Sequence, residues 1–371
     1  MTKPVILHIY KDYYPPVIGG VERNIHDVCE GLSDYFNFYV LIANNCFKTE
    51  EERIGKVNII KARSLGRIAS APLCPDFPKL MKKYKADILH FHCPNPTGDI
   101  SYLLSRPKGK VVVTYHSDIV RQKWAMFAYG GFLRKFLRIA NVIMPTSPNY
   151  VESSKYLKPI KEKCVVIPLG IDTARFKKTP EIEKNAQLFR SRFKKPIVLF
   201  VGRLRYYKGL HFLINAMQKI DAICLIIGNG PMERELISYV KKLSLEDKVF
   251  FKGSVTDEEL VIYYHSADIF CLPSFLRSEA FGLCQIESMA SGVPVVSTNL
   301  DTGVPFVNQH LKSGIVVPPA NSDSLENAIS TLLNNPSLRR EMGEYAEFRA
   351  QKEFDISIML EKIKSVYDNL L

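Results

Sequence analysis

Glu279 and Glu287 stand eight residues apart in Ser278-Glu279-Ala280-Phe281-Gly282-Leu283-Cys284-Gln285-Ile286-Glu287, the first ahead of a helical pattern and the second inside it. Pro273 and Phe281-Gly282 mark a loop. A helix is then expected from about Leu283 to Ser291, ended by Gly292. Leu283, Ile286 and Ala290 form its apolar face, and at 3.6 residues per turn Glu287 falls on the edge of that face. A carboxylate at the border of a core needs donors, and a polyhydroxylated ligand offers hydroxyls in pairs. The plainer reading is a helix-start carboxylate and a solvated glutamate.

The elements that would position these groups alternate strand and helix. Strand-like runs are Val5–Tyr10, Phe38–Ala43, Lys56–Ala62, Ala86–His92, Lys110–His116 and Asn141–Pro145. The cycle restarts at Pro196–Val201 and continues with Ala222–Ile227, Lys248–Lys252, Asp268–Leu272, Pro294–Thr298 and Gly314–Val317. Short β-branched runs separated by helices indicate parallel sheets covered on both faces. Two cycles imply an α/β chain of two doubly wound domains, with ligands at the carboxyl ends of the strands. The domains are placed at 1–178 and 190–354, joined through a polar stretch near Asp172–Lys195, with a terminal amphipathic helix over about 355–371.

Composition sets limits. The 371 residues exceed one ordinary core. The formal net charge is +12, but residues 1–180 hold 28 Lys+Arg against 15 Asp+Glu, and the rest hold 22 against 23. A one-sided basic half suggests an acidic partner: anionic headgroups, lipid-linked phosphates or nucleic acid. No helix-turn-helix, RNP-type or zinc module supports nucleic acid. Val5–Tyr10 reads as a buried strand rather than a targeting segment, and no apolar run approaches the roughly 20 residues that span a bilayer. A cytoplasmic protein, peripheral at the inner face of the cytoplasmic membrane, is expected. Eight cysteines without Cys-x-x-Cys spacing read as free thiols. His90 and His92 alternate on one strand, but with no third histidine or carboxylate at ligand spacing they read as strand-end polar residues rather than a metal site.

The Glu-(seven residues)-Glu pattern follows Leu272-Pro273-Ser274 and precedes Ala290-Ser291-Gly292-Val293-Pro294-Val295-Val296. In this it resembles the retaining nucleotide-sugar glycosyltransferases of the GT-B fold, family 4 (glycosyl transferases group 1). Other carriers are Gly19-Gly20-Val21-Glu22, Thr114-Tyr115-His116-Ser117-Asp118, Ile167-Pro168-Leu169-Gly170-Ile171-Asp172, Gly202-Arg203-Leu204 with Lys208-Gly209, and Gly228-Asn229-Gly230-Pro231. Each is weak alone; together they are specific and cover nearly the whole chain. The resemblance implies two Rossmann-like domains with an interdomain cleft, and a last helix that crosses back onto the first domain. It implies a nucleotide-diphosphate sugar as donor substrate and no cofactor.

For that donor, Arg203 offers a planar fork and Lys208 a point charge after the first strand of the second domain, suited to the departing diphosphate. By analogy with oxyanion holes each is worth roughly 10²–10³ in rate. No metal is then required, and no Asp-x-Asp signature appears. The resemblance assigns Glu279 to the donor sugar hydroxyls, Glu287 to the ribose, and His116 to the sugar and phosphate side. Backbone N–H groups of Phe281, Gly282 and Leu283 suit the phosphate, and the glycines Gly19, Gly20 and Gly228 belong to the donor-binding set.

On the acceptor side, Arg121, Lys123 and Trp124 open a segment that continues through Phe132, Arg134, Lys135 and Arg138, with Gly130-Gly131 expected to break the helix. Basic and aromatic residues together fit an interfacial surface receiving a lipid-linked or polysaccharide acceptor from an anionic leaflet. The loop Asn299–Gln309 departs from the commoner Gly-x-Pro-Glu form. It looks like that of mannosyl- and D-rhamnosyltransferases of bacterial surface polysaccharides, which favours GDP-mannose or a GDP-deoxyhexose. UDP-sugar transfer and nucleotide-sugar 2-epimerisation are the enzymatic alternatives, and nucleic-acid binding through the basic half the non-enzymatic one.

Overall fold

A computed structural model describes residues 2–17, 19–68, 71–119 and 123–371, with the side chains of residues 123–128 outside that description. The chain forms two compact units, Met1–Pro168 with Met359–Leu371, and Leu169–Ile358.

The first unit is built on β1 (Val5–Ile9), β2 (Asn37–Ala43), β3 (Glu50–Ile54), β4 (Val57–Ala62), β5 (Arg67–Ile68), β6 (Ala71–Pro72), β7 (Ile88–Cys93), β8 (Lys110–Tyr115) and β9 (Val142–Pro145). Seven of these make one sheet in the order β3-β4-β2-β1-β7-β8-β9. Ile6, Leu7, Val40, Leu41, Leu89 and Phe91 are all buried, as a sheet covered on both faces requires. β3 is the departure from the sequence expectation: it runs antiparallel to β4 at the sheet edge. Its residues Glu50-Glu51-Glu52-Arg53 are exposed and charged, so it carries no apolar signature, and such charges protect an open edge.

The second unit holds β10 (Ile197–Val201), β11 (Ile223–Ile227), β12 (Val249–Gly253), β13 (Ile269–Leu272), β14 (Val295–Thr298) and β15 (Gly314–Val317). These form a parallel sheet in the order β12-β11-β10-β13-β14-β15. From β10 the chain builds outward on one side and then returns to add β13 on the other. That reversal creates a topological switch point between β10 and β13, where open α/β sheets place ligands. β1 and β7 form the corresponding reversal in the first unit.

The unit boundary falls at Pro168, earlier than residue 178, and the polar stretch after it is structured. Thr179 caps the helix Pro180–Arg190 by accepting from Ile182 N. Arg190 then forks onto Asp268 (2.7 and 3.0 Å), whose carboxylate also accepts from Ile197 N. Polar anchoring replaces apolar patterning here, so the stretch reads as a linker in sequence. In Leu169-Gly170-Ile171-Asp172, Ile171 exchanges backbone bonds with Phe354 and Ile356, and a Cβ on Gly170 would stand 2.9 Å from the Asp355 carbonyl oxygen. The last helix, Ile356–Asp368, contributes Met359 beside Asn24, Leu360 against Gly31, and Tyr367 packed edge-on to Phe36.

Gly130-Gly131 does not break its helix, which runs unbroken over Lys123–Ile139. Buried Tyr129, Leu133, Phe136 and Leu137 hold one face, and tertiary packing outweighs two poor helix formers.

Candidate active site

The switch point of the second unit positions the chemistry. After β10, Gly202 takes φ +153, and the chain turns through a short 3-10 segment, Tyr206–Lys208, ended by Gly209 at φ +69. After β13, Pro273-Ser274 leads to Glu279. The two loops meet: Lys208 Nζ lies 2.5 Å from Glu279 Oε2, and both side chains are nearly sealed from solvent. Ser274 Oγ donates to the same oxygen at 2.9 Å. Burial opposes the Lys208 charge, yet the Glu279 carboxylate outweighs it and holds the ammonium well above its ordinary range. Arg203 on the same loop is exposed.

Glu287 is half-buried on the helix Leu283–Ala290 and accepts from the Tyr264 hydroxyl at 2.6 Å. Tyr264 is a residue sequence reasoning missed, because it lies on the preceding helix inside an apolar run. Gly282 caps the helix at φ +78 with no side-chain cap, so the first N–H groups are left for another acceptor. Phe281 is buried beneath them, packed edge-on to Phe354. Leu283 is half-buried at the first helical position.

Gly228 serves the backbone, for at φ +118 a Cβ would stand 2.2 Å from the Gly202 carbonyl oxygen. Its N–H reaches the Gly253 carbonyl at 2.8 Å, tying the ends of β10, β11 and β12 together. The loop lacking Gly-x-Pro-Glu is anchored by Gly303 N to the Ala280 carbonyl (2.8 Å) and by Arg277 to that of Asp301 (2.7 Å). Near its end, buried Asn308 donates to the Val295 carbonyl and to Ser297 Oγ.

In the first unit, Gly19 precedes the helix Gly20–Gly31, and a Cβ there would stand 2.1 Å from Glu22 Oε2. The Glu22 carboxylate therefore sits over the start of the helix. His116 follows β8 and is buried, its Nε2 3.1 Å from His92 Nδ1 and its Nδ1 without a hydrogen-bond partner among the described residues. The third histidine that the local sequence around His90 and His92 lacks is supplied by β1. His8, remote in sequence, stands in register with His90. Nitrogens of His8, His90 and His92 lie within 4.8 Å of one another, close enough to be weighed as a metal triad.

On the helix Lys123–Ile139, Arg134, Lys135 and Arg138 are exposed beside Phe132, itself 49% exposed. The Arg134 guanidinium lies over the Tyr156 ring at 5.4 Å. Arg121, and the side chains of Lys123 and Trp124, lie outside the described residues. Among the described residues no helix is long and apolar enough to cross a membrane.

Two Rossmann-like units, with a buried cation–carboxylate pair at the second one's switch point, define a GT-B transferase. The profile of "Glycosyl transferases group 1" matches residues 181–349, and that of "Glycosyltransferase Family 4" matches residues 18–175. An O-antigen chain mannosyltransferase C of Escherichia coli is 34% identical, over 99% of this chain and 98% of that one. A D-rhamnosyltransferase of Pseudomonas aeruginosa is 33% identical over 94% and 92%. A sucrose-phosphate synthase from Thermosynechococcus elongatus shares the fold, with a TM-score of 0.83, 23% identity and 99% coverage of both chains. The chain belongs to the group 1, family 4 glycosyltransferases.

Proposed function

We propose that the protein transfers a hexose, mannose or a related GDP-linked sugar, to a lipid-linked or polysaccharide acceptor, with retention at the anomeric carbon, in the synthesis of an O-antigen-type surface glycan. The observation that carries this is the buried Lys208–Glu279 pair at the switch point. A sugar diphosphate matches it, with anionic oxygens for Lys208 and hydroxyls for Glu279. Arg203 supplies a second cation at the diphosphate. Glu287 accepts from ribose hydroxyls, and the N–H groups of Phe281, Gly282 and Leu283 face a phosphate. Gly228 keeps this floor close-packed. In the first unit, His116 meets a sugar, while Gly19 and Gly20 let backbone approach a substrate oxygen. The mannosyl and rhamnosyl transfer for which the two relatives are named supports the donor class.

In the reaction, the acceptor hydroxyl attacks the anomeric carbon on the face the diphosphate leaves. The sugar–phosphate C–O bond breaks, the glycosidic C–O bond forms, and the proton passes to the leaving phosphate oxygen. Lys208 and Arg203 stabilise the charge that develops, so no metal is required. The exposed cations Arg134, Lys135 and Arg138, with Phe132, suit an anionic membrane surface at the cytoplasmic face; vesicle flotation tests this, with recovery on anionic lipid expected and equal recovery on neutral lipid counting against it.

The deciding experiment supplies GDP-mannose, a GDP-deoxyhexose and UDP-sugars with a glycan acceptor and reads the product by NMR. A retained anomer formed from a GDP-sugar is expected. An inverted product, or a 2-epimer formed without acceptor, would overturn the proposal.

A further inference from the structure

Period-two alternation gathers four histidines on one face of the first sheet. His8 pairs across strands with His90, and His92 with Thr114, two residues before His116. Their hydrogen bonds form one line. Thr114 Oγ1 meets His90 Nε2 at 2.7 Å, and His90 Nδ1 meets the Tyr367 hydroxyl at 2.5 Å. That hydroxyl lies 3.3 Å from His8 Nε2, His8 Nδ1 lies 2.8 Å from His92 Nε2, and His92 Nδ1 lies 3.1 Å from His116 Nε2. Every ring nitrogen of His8, His90 and His92 is engaged, and the line ends at His116 Nδ1, which has no partner among the described residues.

This arrangement suits a proton line better than a metal. Within the triad the His92 ring is stacked on His90 at 26° and on His8 at 22°, while His8 and His90 are tilted at 47°; His92 and His116 are stacked at 18°. Ring lone pairs lie in the ring planes, and the His92 plane, nearly parallel to those of His8 and His90, does not converge with them on one ion. Burial keeps the rings neutral, lowering His8 and His116 to about 3 and His90 and His92 well below their ordinary value.

A neutral imidazole has one N–H and one lone pair, so a line of them has two proton arrangements, and setting one ring sets all. Tyr367 makes the choice. O–H donors form shorter bonds than N–H donors, so the phenol donates to His90 across 2.5 Å and accepts from His8 across 3.3 Å. His8 Nδ1 then accepts from His92 Nε2–H, and His92 Nδ1 accepts from His116 Nε2–H. His116 Nδ1 is left as a bare acceptor.

We propose that Tyr367, acting through His8 and His92, is a positioning residue that locks His116 in the Nε2–H tautomer, so that its Nδ1 accepts from a carbohydrate hydroxyl rather than donating to a phosphate. The proposal rests on His116 meeting substrate, and deepens that assignment by fixing what it can recognise.

Long-range proton–nitrogen correlation spectra of the full chain at neutral pH read the tautomer directly. All four rings are expected as the neutral Nε2–H form. Tyr367→Phe removes the donor to His90 and the acceptor for His8. His116 is then expected as a mixture of tautomers, with kcat down about tenfold and the donor KM nearly unchanged, roughly the worth of one hydrogen bond. An Nδ1–H form of His116 in the unsubstituted chain would overturn the proposal even if Tyr367→Phe folds poorly. So would an unchanged His116 tautomer in a folded Tyr367→Phe, or one zinc per chain in the purified protein. The spectra need no turnover, so absence of sugar transfer would sink the functional proposal, and with it the carbohydrate contact, while the tautomer lock set by Tyr367 would still stand or fall on the spectra.

Discussion

Lys208 and Glu279 occupy positions that neither charge could hold alone. Glu279→Ala would strand a buried ammonium and is expected to cost about 3–5 kcal/mol in denaturant unfolding. Replacing both, as Lys208→Met with Glu279→Gln, is expected to leave stability nearly unchanged. In the sequence these residues were legible as types placed after strands. Their pairing was not, because it depends on β13 returning beside β10. His8 was invisible for the same reason: only strand register brings it to His90. Titration follows from the same burial. Histidines held low bind fewer protons folded than unfolded, so they add stability as pH rises from about 3 to their unfolded value of about 6.5. Burial pushes the Asp99 carboxyl the other way, up to about 7, although Tyr129 and Cys93 donate to it. It therefore loses stability as pH rises from its unfolded value of about 3.9 through its folded one, by at most about 4 kcal/mol. Stability is expected to rise from pH 4 to 6.5, the histidines outnumbering the one carboxylate. Asp99→Asn should steepen that rise and remain relatively more stable at pH 8, as thermal unfolding across pH would show.

At the scale of elements, apolar runs marked the buried parallel strands well, whereas β3 and the helix Pro180–Arg190 escaped because charges and caps hold them. Glycines separate the same way. Gly228 combines positive φ with a carbonyl oxygen where a Cβ would go, while Gly131 lies in a helix with nothing within 4 Å of its missing Cβ among the described residues. Gly228→Ala is expected to lower the unfolding temperature sharply and to impair donor binding. Gly131→Ala should stabilise by about 0.5–1 kcal/mol, since alanine is the better helix former. Paired melting curves check both. The helix Leu283–Ala290 shows how one element serves two ends: Ile286 and Ala290 are buried while Glu287 is held at the rim by Tyr264.

For the molecule as a whole, the two-cycle α/β plan was legible from repeated strand patterns, and the uneven charge from simple counting. The unit boundary was harder to place, because polar bonds at Arg190 and Asp268 leave no apolar trace. The returning tail matters to the first unit: Met359, Leu360 and Tyr367 cover Asn24, Gly31 and Phe36. Ending the chain after Ile358 is expected to expose apolar surface and the histidine line, giving a protein that binds a hydrophobic dye and unfolds at lower temperature. The most direct trial of the proposed chemistry is nucleotide release from GDP-mannose, with acceptor present, by the folded Lys208→Met, Glu279→Gln variant. A fall in kcat of roughly 10³ or more is predicted from loss of diphosphate stabilisation; turnover within tenfold of the unsubstituted protein would contradict it.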